Sequence, residues 1–346
     1  MKLTRRAATL GLAAGTATLA AGNTFARRED ARWSNAPDLP YPTQEIYPAV
    51  LDGTLYVPGG FATGISELPL DISDRVYALT PGVDEAWREM PRLPAPTHHP
   101  QCVAVNGTLY AMGGFTIENN GPWSMIERVY TLRPGVDEAW QRIGDMPTPW
   151  AETAMVALNG NIHKITGRRP SGAQNSEWGH QSDVNAHLVM DTESGEWSTL
   201  PAAPTARNHA AAVVIDGHIH LVGGRTNTGG NTPVHEIYDP SSGRWETAAP
   251  LPQPRRGPLG TGGHAAAALD GVLYVFGGEW FSDGGGVYDQ VWAWEAGCDA
   301  WEEVTRMPTP RHGLGAQALD GAIYTIGGAA QRGAVDTSAA VEVFRP

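Results

Sequence analysis

Apolar and polar positions alternate along this chain in short runs that stop at Gly-containing turns and start again. One phrase returns six times, about fifty residues apart. Each copy has an apolar run, an Asx-Gly pair, a second apolar run ending in Gly-Gly, a variable loop, a third run and a Trp. The Asx-Gly pairs are Asp52-Gly53, Asn106-Gly107, Asn159-Gly160, Asp216-Gly217, Asp270-Gly271 and Asp320-Gly321. The diglycines are Gly59-Gly60, Gly113-Gly114, Gly223-Gly224, Gly277-Gly278 and Gly327-Gly328, and copy three keeps only Gly167, after Thr166. Period-two runs broken by such turns predict strands, with the Asx-Gly pair joining the first two of each copy in a tight hairpin. The diglycine marks a place where another backbone passes too close for a Cβ. Trp87, Trp140, Trp197, Trp245 and Trp301 open a fourth, outer strand.

Copy six ends at Pro346 without its Trp, yet Trp33 stands near the start, in Trp33-Ser34-Asn35-Ala36-Pro37-Asp38-Leu39-Pro40. This has the Trp-then-Pro layout of Trp87 to Pro94, and Trp33 lies 54 residues before Trp87, which lies 53 before Trp140. The N-terminal segment is therefore expected to supply the outer strand of the last copy, removing a pair of exposed sheet edges. The phrases Leu55-Tyr56-Val57-Pro58-Gly59-Gly60, Leu109-Tyr110-Ala111-Met112-Gly113-Gly114 and Leu273-Tyr274-Val275-Phe276-Gly277-Gly278 resemble the kelch-repeat family over residues 33 to 346. That resemblance implies an all-β, six-bladed β-propeller closed by the N-terminal strand.

Composition changes this picture little. Gly 42 and Pro 27 fit a turn-dense all-β chain, and the repeat makes one domain of residues 27–346. The net charge of −13 argues against nucleic acid and anionic membranes as partners. No apolar run after residue 30 reaches the ~18 residues that a membrane span requires. Residues 1–26 read as a secretory leader, with Lys2, Arg5 and Arg6 ahead of an alanine-rich stretch. Thr4-Arg5-Arg6 followed by Leu10 is similar to a twin-arginine signal, so a periplasmic or secreted location is expected. Loss of those three cations takes the charge from −13 to −16. Cys102 and Cys298 fall in different layers of different copies and are not expected to bridge.

The first strand of each copy begins on the face where the second ends. The residues eight and seven before each Asx therefore meet at one mouth of the central channel. They are Gln44-Glu45, His98-His99, Ala151-Glu152, Asn208-His209, Gly262-Gly263 and His312-Gly313, with His264 one step further in copy five. Just past the second strands, on the same face, come Arg168, Arg169, Arg225, Glu279 and Trp280. The longest loop there, Arg168 to Ala186, carries Trp178, His180 and Asp183, and copy two adds Glu118, Asn119, Asn120 and Trp123. A mouth with acids, bases and exposed aromatics is where a ligand site is expected.

Each group has its own chemistry. Glu152 and Glu279 are candidate general bases, and His99 and His209 candidate acids. Arg168 and Arg225, with Arg207 and Arg311 behind them, can clamp a carboxylate bidentately. Glu45, Trp178 and Trp280, with Trp123 and Phe281, are candidate ligand contacts, the aromatics as stacking platforms. His98, His99, His209, His264 and His312 can hold a single divalent metal. No nucleotide or flavin signature is present.

Among exported six-bladed kelch proteins, the N-acetylneuraminate epimerase type is similar in size and blade number. That likeness implies a small polar or carbohydrate-like, acidic ligand and mutarotase or epimerase acid-base chemistry. Galactose oxidase-like kelch proteins hold copper with a Tyr-Cys crosslink, which neither Cys here is placed to form. Nitrile-specifier proteins use Glu-x-x-x-Asp-x-x-x-His; Glu279 and Asp283 fit it, but Val287 stands in place of the His. A non-catalytic protein-interaction module and a mononuclear metal enzyme are the alternatives.

Overall fold

The computed structural model describes residues 32–118, 121–228 and 230–346. The expected leader, Asn119 and Asn120 lie outside the described residues. The chain is all-β, and its one helical element among those residues is a single turn at Trp178–His180. Each Asx-Gly pair has two positive φ values, as at Asp52 (48°) and Gly53 (74°). That is the turn whose twist matches the flanking strands, and Asp, Asn and Gly adopt it cheaply.

Six four-stranded antiparallel sheets result. Sheet one is Ala49–Leu51, Thr54–Pro58, Val76–Leu79 and Arg88–Met90, from inside to outside. Sheet two is Gln101–Val105, Thr108–Met112, Arg128–Leu132 and Gln141–Asp145, and sheet three is Ala154–Leu158, Asn161–Ile165, His187–Asp191 and Trp197–Leu200. Sheet four is Ala211–Ile215, His218–Val222, His235–Asp239 and Arg244–Thr247, and sheet five is Ala265–Leu269, Val272–Phe276, Gln290–Glu295 and Trp301–Arg306. In sheet six, Gly315–Leu319, Ala322–Ile326 and Val341–Arg345 are followed by Arg32–Asn35, with Trp33 opposite Phe344.

Apolar layers fill the spaces between neighbouring sheets. Leu55, Val57 and Leu79 pack with Ile326, Val341 and Val343, joining sheets one and six. Phe276 and Val291 pack with Ile323 and Phe344 between five and six. Each such side chain taken from water contributes about 1.5–3 kcal/mol.

The glycine that ends each second strand donates its N–H to the carbonyl leading into the next sheet. These bonds run Gly60 to Thr97 (2.9 Å), Gly114 to Trp150 (3.2 Å), Gly167 to Arg207 (2.7 Å), Gly224 to Thr261 (2.8 Å), Gly278 to Arg311 (2.9 Å) and Gly328 to Thr43 (2.8 Å). A Cβ on Gly59 would sit 2.3 Å from the Thr97 carbonyl, which is why the approach needs glycine. The tryptophans fasten the outer edge: Trp87, Trp140, Trp245 and Trp301 donate to the carbonyls of Pro37, Pro91, Pro201 and Ala249, at 2.8–2.9 Å. Cys102 and Cys298 are both free. No helix among the described residues is long and apolar enough to cross a membrane.

Candidate functional site

The six first strands line a channel of about 390 Å³, with mostly small apolar side chains such as Ala104, Ala157, Ala212, Ala267 and Ala318. Its polar residues gather at one end. There Glu45, His99, Glu152, His209, Gly263 and Gly313 form an inner tier, as their spacing implied. All six have left-handed backbone, at φ 56°, 56°, 50°, 49°, 65° and 58°. The reason is a run of bonds from sheet to sheet: Gly313 N–H to Gly263 O (2.7 Å), Glu45 to Gly313 (2.7 Å), His99 to Glu45 (3.1 Å) and His209 to Glu152 (3.1 Å). Glycine meets this geometry at two positions. Glu and His pay strain for it at the other four, a pattern that concentrates at functional sites.

A second tier follows from register. The residue after each diglycine bridges to the residue ahead of the inner-tier position: Phe61 to Gln44, Phe115 to His98, Arg168 to Ala151, Arg225 to Asn208, Glu279 to Gly262 and Ala329 to His312. One half of this tier is apolar (Ala329, Phe61, Phe115) and the other charged (Arg168, Arg225, Glu279). Sequence reasoning found the charged half and missed Phe61 and Phe115. Their signal was the same offset, one place past the diglycine. It also missed Tyr47, two residues past Glu45 on the channel wall, whose phenol pKa is pushed well up by burial and by Glu45 and Glu152.

The charged groups interlock. Glu45 Oε2 lies 3.0 Å from His99 Nε2 and 3.6 Å from His209 Nε2, while its Oε1 is 3.7 Å from His312 Nδ1. Glu152 Oε2 lies 3.0 Å from His209 Nδ1, and its Oε1 is 3.6 Å from Arg168. Arg225 pairs with Glu279, whose other oxygen accepts from Gly333 N–H at 2.7 Å and lies 3.5 Å from His312. Burial alone would raise both carboxyl pKa values. His99 and His209 hold Glu45 well below the usual range, and His209 with Arg168 bring Glu152 down to about 2. Burial lowers Arg225, but Glu279 and Glu152 outweigh it and its pKa is raised. A buried, mutually paired set of acids and bases can orient a polar ligand and pass protons to it.

Not every predicted residue joins the mouth. His98 is sandwiched between Phe61 and Phe115, ring centroids 4.0 and 5.0 Å away, with Nε2 on the Pro122 carbonyl at 2.8 Å. His264 is buried against Gly223, where burial takes it down to about 3. Trp280 alternates with Glu279 on one strand and so points the other way, packing on Gly257, Gly286 and Tyr288. Arg207 and Arg311 are consumed inside the sheets, on Glu236 (2.6 Å) and Glu342 (2.7 Å) and on backbone carbonyls. Arg169 covers the Trp150 ring at 4.0 Å. Trp178 does reach the mouth, its ring 3.2 Å above the fully buried Arg168 guanidinium and 39% exposed. Trp123 stands against it, centroids 5.4 Å apart, and Phe281 lies against Arg225 at 5.3 Å.

The model of the KLHDC2/KLHL20/DRC7 Kelch-repeats domain matches residues 171–341. Kelch-like protein terF of Aspergillus terreus is 27% identical over 332 residues, which cover 91% of this chain and 68% of that protein. Kelch-like protein 35 of Mus musculus is 23% identical over 76% of the chain, and Kelch-like protein 23 of the same species 27% over 80%. The chain spans only 40% and 44% of those two mouse proteins. The solved structure titled "Structure of YjhT" superposes with a TM-score of 0.74 at 18% identity, covering 90% of this chain and 97% of that one. Likeness at that identity speaks to fold alone. With the repeat, the antiparallel sheets and these relatives in agreement, the chain is similar to the kelch-repeat β-propeller proteins.

Proposed function

We propose that the six sheets are the blades of one ring, closed by the N-terminal strand, and that its polar mouth binds a small, acidic, carbohydrate-like ligand and exchanges protons with it. Closure is supported by the bonds from Gly328 to Thr43 and from Glu45 to Gly313, which join the last sheet to the first.

The ligand reading rests on one observation above all, the division of the second tier into an apolar half and a charged half. A sugar acid has the matching parts: a C–H face for Phe61, Trp123 and Trp178, and a carboxylate for Arg225. Arg225 is the accessible guanidinium, with 12% of its side chain exposed, whereas Arg168 lies under Trp178. Glu152 with His209, and Glu45 with His99, then serve as proton carriers for anomer or epimer interconversion.

The test is a titration of the purified full chain, in chelator, with a set of acidic monosaccharides and their neutral counterparts. Tryptophan fluorescence reports the outcome, because Trp123 and Trp178 border the mouth. At least one acidic sugar is expected to saturate the signal, and Arg225→Met to weaken it tenfold or more, about 1.4–3 kcal/mol for a lost charge-assisted pair. Binding that survives Arg225→Met contradicts the reading.

A second reading draws on the rim. Six of the nine exposed large apolar side chains among the described residues, Leu68, Ile117, Trp178, Leu259, Phe281 and Val335, sit on connections of the mouth face, while Val83, Val136 and Ile143 lie elsewhere. Scattered apolar side chains are ordinary, but a concentration on one face suits a protein partner. Failure of every small ligand to bind would favour this reading.

A further inference from the structure

A relay of hydrogen bonds fixes where the protons of the mouth histidines are. The Pro122 carbonyl only accepts, so His98 Nε2, 2.8 Å away, carries a hydrogen. With its hydrogen on Nε2, a neutral His98 ring presents Nδ1 as a lone pair. His99 Nδ1, 2.7 Å from that lone pair, must then be the donor. His99 is thereby committed to present Nε2 to Glu45 Oε2 at 3.0 Å.

The same logic holds across the channel. His209 Nδ1 lies 2.9 Å from Asn208 Oδ1 and 3.0 Å from Glu152 Oε2, two acceptors, and the Asn208 amide is oriented by its own bond to Asp183. His209 Nδ1 therefore carries hydrogen, and its Nε2 faces the same Glu45 oxygen at 3.6 Å. Two imidazole nitrogens and one carboxylate oxygen, all lone-pair donors when the rings are neutral, converge within 4.8 Å of one another. Glu45 Oε2 is buried and faces both ring nitrogens, at 3.0 and 3.6 Å. Lone pairs gathered in this way are satisfied by a proton or by a metal cation among them.

We propose that Glu45 Oε2, His99 Nε2 and His209 Nε2 bind one divalent first-row transition-metal ion as a facial two-His, one-carboxylate set, its other positions open to the channel. With metal bonds of about 2.0–2.2 Å, ligand atoms stand about 3.0 Å apart in an octahedral shell and about 3.4 Å in a tetrahedral one. The observed 3.0 and 3.6 Å bracket those values. The outer contacts are also those of metal-bound histidines, whose second nitrogen donates to a fixed acceptor. His98 plays that part for His99, and Asn208 with Glu152 for His209. Loading the ion gives up the 3.4 Å contact of Arg225 with His209 Nε2 while Arg225 keeps Glu279. Imidazole with a single carboxylate selects zinc or iron(II) over calcium or magnesium. The competing occupant is a proton, held between His99 and Glu45.

The proposal uses the mouth that the ligand reading uses, but the two can fail separately, since the sugar titration is run in chelator. The experiment takes untagged full-length protein, strips it with EDTA and titrates it with Zn²⁺ alone by calorimetry. One equivalent per chain is expected. Glu45→Gln, nearly isosteric, and His99→Gln should each abolish uptake while melting as folded proteins in EDTA. His98→Phe, which keeps the aromatic stack and removes the acceptor, should weaken binding about 10–100-fold. No uptake by the wild-type chain would mean that a proton alone occupies the site and would overturn the proposal. Uptake unchanged in both Glu45→Gln and His99→Gln would overturn it as well.

Discussion

His163 and His187 share one hydrogen at 2.9 Å in sheet three, and His220 and His235 do the same at 3.1 Å in sheet four. Neither pair belongs to the mouth. His187 packs on Tyr238 and Trp245 of the next sheet, and His235 on Trp294 and Trp301, so each pair closes a seam between neighbours. Burial brings His163 and His220 down to about 4, and burial with the partner ring brings His187 and His235 to about 3. Asp216 and His218 near His220, and Asp299 and Arg207 near His235, leave that direction unchanged. Because the folded pKa lies below the unfolded value of 6.5, the unfolded chain takes up protons first as pH falls. Stability is therefore complete above about pH 6.5 and is lost progressively toward pH 3, on the order of 2 kcal/mol per histidine at about pH 5. Urea midpoints should fall across that range. The paired change His163→Leu with His187→Leu should flatten the fall, and an unaltered slope would refute the assignment. These pairs were not legible in the sequence. His163 and His220 share a register after their Asx-Gly turns, but their partners lie 24 and 15 residues on, and only pairing of the second and third strands brings them together.

Strands and turns were the most legible elements, because each has a local cause. The Asx-Gly turns, the diglycine approaches and the outer tryptophans all lie where the repeat placed them. Copy three departs from the pattern at Thr166, a β-branched residue held at φ 54° where the other copies have glycine. The mouth hairpins were harder to read. Phe61 and Phe115 look like ordinary strand residues until register shows that they are counterparts of Arg225. The strand Arg32–Asn35 was recognised through Trp33, its spacing to Trp87 and the Trp-then-Pro layout that follows it. Its partner Val341–Arg345 would otherwise end sheet six as an open edge, and Trp33 covers Phe276 and Phe344 at 6.3 and 5.2 Å. Deletion of residues 32–35 should lower the melting temperature by on the order of 5 °C, from a lost ladder and an uncovered aromatic cluster. An unchanged melting temperature would contradict the closing role of that strand.

At the scale of the molecule, a monotonous scaffold carries its exceptions in one place. Where the repeat is kept, residues are explained by packing. Where it is broken on the mouth face, the substitutions are Glu, His and Arg, buried, charged and partly in strained backbone. Natural chains accept such costs where function requires them. The central claim is that the inner tier serves function and not folding. The most direct test replaces Glu45 and His99 together with glycine, the residue that sheets five and six already use at these positions. Removing both partners leaves no orphaned charge between them, and glycine relieves two left-handed side chains. The account predicts a melting temperature equal to or above that of the wild type, with Zn²⁺ uptake abolished and sugar-acid binding weakened. A protein that fails to fold, or one that folds and binds as before, would contradict it.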